Sequence, residues 1–243
     1  MMKKLHHKFT NLNGEGISPV ALKGMTDAIT HRGPDGEGHW IENNVGIGHR
    51  RLSIVDLSSS GSQPMLSKDG RYILSYNGEV YNFEEIKAEL IAQGYKFFGT
   101  SDTEVVLNAL AEWGIKALNH FNGMFALALW DRKKKTLLLA RDRYGIKPLY
   151  YHLGNNLCIF SSEQKGILGS KMVNHQIDKP RLLEYFTFQN IFSEGTLCKD
   201  IQLMPAGHYG ILDTKEKKFK LHEYWDFEFR ANENPLKYND CKE

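Results

Sequence analysis

Cysteine is scarce in this sequence. The three present, Cys158, Cys198 and Cys241, are scattered, odd in number and without the spacing of metal ligands. That scarcity offers no metal site and points to a reducing, cytoplasmic setting. Long apolar runs are missing too: none approaches the roughly 18 residues of a membrane-spanning helix. The opening MMKKLHHKFT lacks the apolar stretch that follows the basic residues of a signal peptide. No charge sign dominates, since 31 Lys and Arg stand against 29 Asp and Glu, interleaved along the chain. A net charge of +2 argues against a dedicated nucleic-acid or membrane-surface protein. Internal repeats and low-complexity stretches are absent. What is present is ordinary for a globular domain: 41% hydrophobic and 25% charged residues over 243 positions, enough to bury a real core.

The element pattern is mixed. Ser18-Pro19 opens a helix with Leu22, Met25 and Ile29 on one face. GHWIENNVGIGH predicts a hairpin turning at Asn43-Asn44, and RYILSY a strand stopping at Asn77-Gly78. Asn82 with Glu85 has the pattern of a capping box before a helix carrying Ile86 and Leu90. Ser101-Asp102 caps the next, with Val105, Val106 and Leu110, ending at Gly114. MFALALWD and TLLLARD form a long hairpin whose near-continuous apolar character implies burial on both faces. LCIFSSE, a helix near Leu182 to Phe186, and a hairpin around GHYGILD and FKLHEYW follow. The expectation is one α+β domain rich in antiparallel hairpins with helices outside.

Four polar clusters stand at strand ends or helix starts. HRGPDGEG, residues 31–38, reads locally as a loop. In GHRRLSIVD, residues 48–56, Arg50 and Arg51 precede an apolar strand. An arginine fork suits a carboxylate, though the local sequence by itself favours a surface arginine on a strand edge. YNGEVYN, residues 76–82, carries a hairpin-turn signal. Yet Asn77 and Gly78 could also donate to a developing oxyanion while Glu79 holds an ammonium group. In GTSDTEV, residues 99–105, Asp102 reads first as a helix N-cap, and its carboxylate could instead receive an amino group. One guanidinium and two carboxylates together could grip both charged ends of an α-amino acid.

HRGPDGEG, RLSIVDL, NGEVYN, SDTEV, GMFALALWD, RDRYGIKPLYY, SSEQKG, LMPAGHY and YWDF stand in the order found in glutamine-dependent asparagine synthetase. From about Asn11 to Phe227 the chain resembles the N-terminal class II glutamine amidotransferase domain of that family. The resemblance implies a four-layer αββα sandwich of the N-terminal-nucleophile (Ntn) hydrolase type. It implies hydrolysis of glutamine to glutamate and ammonia by an N-terminal cysteine whose own amine is the base. Carried over by motif, Arg51 binds the glutamine carboxylate and Glu79 and Asp102 its ammonium. Asn77 and Gly78 form the oxyanion hole, and Leu52, Ser53, Ile54 and Val55 line the pocket. The ligand implied is L-glutamine. ATP and magnesium belong to a synthetase domain that activates aspartate.

Two departures from the family pattern shape the functional expectation. The family begins Met-Cys-Gly-Ile, whereas this sequence has MMKKLHHKFT, and counting back from NLNGEG puts the cysteine position near Lys3 or Lys4. Residues 1–10 then replace the cysteine-bearing first strand, and their lysines would push the segment out of the sheet or leave it disordered. Residues 11–228 form the amidotransferase domain. Residues 229–243 are a polar tail where the synthetase domain, marked by a Ser-Gly-Gly-Leu-Asp-Ser string, would begin; no such string occurs here. Three readings follow. One is an asparagine-synthetase-type domain without glutaminase activity, a pseudoenzyme. Another is a glutamine-binding module acting with a synthetase subunit in trans, and the last a vestigial structural domain.

Overall fold

The computed structural model describes residues 5–52, 61–154, 156–193 and 195–228, with side chains from Thr10 onward. Two six-stranded antiparallel sheets stack face to face. The first runs in the order β10 (Gln202–Leu203), β8 (Tyr150–Gly154), β9 (Leu157–Ser161), β1 (Leu5–Asn11), β3 (Val45–Arg51), β2 (Gly36–Glu42). The second runs β12 (Lys218–Glu223), β11 (His208–Asp213), β7 (Thr136–Arg141), β6 (Gly123–Asp131), β5 (Tyr72–Val80), β4 (Met65–Leu66). Each sheet buries its inner face against the other, through Val45, Ile47, Cys158 and Phe160 on one side and Ile73, Ala126, Ala128, Trp130, Leu137 and Leu139 on the other.

The outer faces are covered by helices. On the second sheet lie α2 (Phe83–Ala92), α3 (Asp102–Trp113) and the short α4 (Ala117–His120), with Ile86, Leu90, Val105, Val106 and Leu110 packed on Leu74, Tyr76 and Val80. On the first lie α1 (Pro19–Asp27) and α5 (Gln164–Gly169), burying Leu22, Met25 and Ile167 against Ile159. The layers are thus α, β, β, α, as expected. The two-sided burial of MFALALWD and TLLLARD follows directly, because β6 and β7 lie at the centre of four layers. Helix α6 (Lys179–Phe188) stands apart and buries none of its residues.

Local signals explain most boundaries. Ser18 Oγ accepts from the Ala21 N–H at 3.3 Å and Pro19 occupies the first turn, starting α1. Asn43 takes the left-handed conformation (φ 52°) that the β2–β3 turn demands. Two expectations are corrected. The β5 strand does not stop at Asn77-Gly78: it runs to Val80, because nine-residue β6 pairs with it from Tyr72↔Asp131 to Val80↔Gly123. Asn82 makes no capping bond; its side chain donates to His120 O at 3.0 Å and accepts from Asn122 N at 2.9 Å, tying α2 to the start of β6.

The first strand is a third correction. Leu5–Asn11 is not expelled but sits in mid-sheet, paired with β3 from Leu5↔Arg50 to Thr10↔Val45 and with β9 from His7↔Ser161 to Asn11↔Leu157. Removing it would strand the facing N–H and C=O groups of two neighbours inside the molecule, a cost spread over the whole ladder. Ser53, Ile54 and Val55 lie outside the described residues, as does the 229–243 tail.

At the far end of β5 an ion pair ties the sheet together. Arg71 donates Nε–H to Asp131 Oδ1 at 3.1 Å and Nη2–H to Oδ2 at 2.7 Å, while the Lys133 and Lys134 N–H groups reach Oδ1 at 2.9 and 3.0 Å. Burial pushes the Asp131 carboxyl up, but the Arg71 hydrogen bonds and the two turn N–H groups outweigh it, leaving it below the usual range. Because the folded-state pKa is depressed, the pair stabilises fully above the unfolded carboxylate value near 4 and is lost as pH falls through the lowered one. Asp131→Asn is expected to remove about 2 kcal/mol at neutral pH and to flatten the acid limb of the stability curve. Denaturant titrations between about pH 2 and 7 measure both.

Candidate functional site

The strand end that escaped prediction is where the polar clusters meet. Alternation along β5 sends Leu74, Tyr76 and Val80 to the helix layer and Ser75 to the inter-sheet space, where its Oγ lies 3.5 Å from His49 Nδ1 of β3. Asn77 follows Ser75 by two residues on β5, and Arg51 follows His49 by two on β3. The same step in both strands carries the YNGEVYN and GHRRLSIVD clusters beyond a shared contact.

Asn77 is 1% exposed, and both its amide oxygen and its amide nitrogen lack a partner among the described residues. A buried amide in that state costs roughly 1–3 kcal/mol, so it serves stability poorly and suits a ligand. Gly78 is obligatory for another reason: a Cβ there would fall 2.3 Å from Met124 O and 2.7 Å from Phe125 Cα. Glu79 is partly buried. Its charge reaches Lys147, whose amine is pushed down by burial and by Arg32, with Asp142 and Glu79 pulling the other way.

Asp102 joins this strand from α3. It is not the N-cap: Ser101 is, its Oγ accepting from the Thr103 N–H at 3.2 Å. Asp102 occupies the first helical position and turns its carboxylate to β5, where Oδ2 accepts from Tyr76 OH at 2.8 Å and Val80 N–H at 3.2 Å. Burial, then the charge and hydrogen bond of Asp102, push the Tyr76 phenol well up, so Tyr76 remains a neutral donor. Asn77, Gly78, Glu79 and Asp102 therefore form one cluster. Arg51 and Leu52 stand at the end of β3, both partly buried, with Arg51 O accepting from the Asp35 N–H of the HRGPDGEG segment at 3.0 Å. That segment is a folded approach to β2: Pro34 bridges Arg51, and Arg32 pairs with Glu163 at 2.9 Å. Tyr76 was the neighbour that motif reading passed over; an aromatic hydroxyl immediately before the Asn-Gly-Glu run was its signal.

The family model for the glutamine amidotransferase domain matches residues 10–225. The chain belongs to this family. Among relatives of this amidotransferase domain, asparagine synthetase [glutamine-hydrolyzing] 3 of Bacillus subtilis (strain 168) is 39% identical over 207 residues, 84% of this chain and 33% of that protein. Asparagine synthetase [glutamine-hydrolyzing] 1 of the same organism is 36% identical over 222 residues, 91% of this chain and 34% of the relative. Amidase chry2 of Gibberella zeae is 38% identical over 228 residues, 92% of this chain and 33% of its own length. The chain thus spans about a third of the length of these relatives. The glutamine phosphoribosylpyrophosphate amidotransferase of B. subtilis, solved with ADP and GMP, superposes with a TM-score of 0.68 over 91% of this chain and 49% of that one, at 16% identity. At that identity the likeness concerns the fold, and it agrees with the Ntn-hydrolase sandwich.

Proposed function

We propose that this amidotransferase domain binds L-glutamine at the β3–β5–α3 corner and does not hydrolyse it. The observation that carries binding is the orphaned amide of Asn77, beside the Gly78 main chain and the Glu79 and Asp102 carboxylates. In this reading Arg51 takes the ligand's α-carboxylate, Glu79 and Asp102 its ammonium, and Asn77 with Gly78 its side-chain carbonyl. Leu52, at the end of β3, lines the wall. The observation that argues against hydrolysis is the sequence entering β1, which holds lysines where the family's nucleophile belongs.

Calorimetric titration with L-glutamine tests the binding half. A saturable isotherm is expected, weakened at least about 30-fold in Arg51→Ala, since a charged hydrogen-bonded contact contributes roughly 2 kcal/mol or more. Asp102→Ala is expected to lose as much. A flat trace for the unsubstituted chain would favour the vestigial-domain reading.

Contact with a synthetase portion is favoured by the region of α6. Leu183, Phe186, Phe188 and Phe192 are 61–73% exposed, and Phe188 and Phe192 pack edge to face with ring centroids 5.6 Å apart. An apolar face of this kind marks a docking surface. A separately expressed synthetase portion of an asparagine synthetase is expected to sediment with the chain, and to lose that association when Leu183 and Phe186 are replaced by Glu.

A further inference from the structure

Along one edge of β5 the main-chain groups of alternate residues face β4. Leu74 lies opposite Met65 in that ladder. Two residues on, Tyr76 lies opposite the register position of Gln63, but β4 begins only at Met65 and the main-chain ladder ends there. The Gln63 side chain takes over: Oε1 accepts the Tyr76 N–H at 2.6 Å and Nε2–H donates to Tyr76 O at 3.1 Å. A side-chain amide carries the donor and acceptor of a peptide, so it extends the sheet by one pair. Gln63 is 4% exposed, and its own carbonyl abuts Gly38, where a Cβ would approach to 2.1 Å.

Two residues further again is Gly78, and beyond it Val80, whose N–H is held by Asp102 Oδ2 at 3.2 Å. Gly78 cannot turn to β6, because its counterpart Phe125 spends its own N–H and C=O on Asp142, at 3.2 and 2.8 Å. The Gly78 N–H therefore faces the same edge, and it has no partner among the described residues. Side chains clamp the positions on both sides of it, Gln63 before and Asp102 after.

We infer that Gln63 is a positioning residue for the oxyanion-type donor at Gly78: it locks Tyr76 so that the next N–H on that edge is presented to the ligand's side-chain carbonyl. This rests on the glutamine-binding reading above. Preorganised donors act by geometry, so loss of the clamp is felt by the ligand group that meets Gly78 and not by the α-carboxylate and ammonium.

The test compares L-glutamine with L-norvaline, which keeps both charged ends and lacks the side-chain carbonyl. Gln63→Leu is expected to weaken L-glutamine about tenfold while leaving L-norvaline within about twofold. Gln63→Glu, which keeps the acceptor for Tyr76 N–H and loses the donor, is expected to fall between. Equal weakening of both ligands, or unchanged L-glutamine affinity, would overturn the assignment. If the unsubstituted chain binds neither ligand, the glutamine reading falls, and amide exchange decides the clamp alone. The Tyr76 N–H is then expected to exchange at least about tenfold faster in Gln63→Leu with Leu74 unchanged; unaltered Tyr76 protection would refute it.

Discussion

Incubated with L-glutamine, this chain is expected to release glutamate slower by a factor on the order of 10⁶ than an amidotransferase that carries its cysteine, the scale of loss when a nucleophile is removed from a catalytic unit. The strand geometry makes the deficit hard to repair from within. Leu5, the first described residue, pairs with Arg50 of β3, and Met1–Lys4 contains no thiol. Cys158 is in the adjacent strand but at the wrong end: it pairs with Thr10, five residues and roughly 17 Å from Leu5, and is fully buried. Burial pushes the Cys198 thiol up, away from the thiolate that nucleophilic attack requires. Cys241 lies outside the described residues. A coupled glutamate assay measures the deficit. Turnover that disappears on thiol alkylation would overturn the reading. A variant whose first residue is a cysteine in place of Lys4 is expected to raise glutamate release above the parent, because in the proposed reading Asn77 and Gly78 supply the oxyanion donors.

Much of the fold was legible because its signals were local. The Ser18-Pro19 start, the Asn43-Asn44 turn, the Gly114 stop and the two-sided burial of β6 and β7 each depend on a few neighbouring residues. Misreadings arose where a distant partner outvoted the local preference. Asn77-Gly78 has a turn's composition, yet β6 supplies a nine-residue ladder that holds it extended. Asn82 has a cap's composition, yet Asn122 and His120 offer its amide better bonds. Leu5–Asn11 has an expelled segment's charge, yet two strands need its backbone. The site divides in the same way. Asn77, Gly78, Glu79 and Asp102 were readable as residue types whose chemistry fits an amino acid, and the structure gathers them. Gln63 was not readable, because its role exists only through the register of β4 on β5. Nor did sequence show why Asp102 is free of capping duty, which depends on Ser101 taking it.

Asp142→Ala is expected to destabilise the domain by about 3–5 kcal/mol, the range for uncovering buried groups built around a charge. The RDRYGIKPLYY motif folds around this fully buried carboxylate. Oδ1 accepts from Tyr144 N–H at 3.1 Å and Ile146 N–H at 2.9 Å, and Oδ2 from Lys147 N–H at 2.9 Å and Phe125 N–H at 3.2 Å. Its main chain adds a bond to Phe125 O at 2.8 Å and accepts from Gly145 and Gly207 at 3.1 and 2.9 Å. Arg141 closes the loop from the other side, donating to the carbonyls of Lys147, Met204 and Gly145 at 2.8, 2.5 and 2.5 Å. Alanine would orphan four N–H groups at once. Asparagine would rescue only part, since its NH₂ turns a donor toward donors. For a domain of this size the loss corresponds to a fall in Tm of roughly 10 °C, readable by thermal denaturation. A change under about 1 kcal/mol would show that the loop holds its shape without the carboxylate. The consequence extends to the ligand corner, because Phe125 is the residue packed directly against Gly78. Below its new Tm the Asp142→Ala chain is therefore expected to bind L-glutamine more weakly than its folded fraction accounts for.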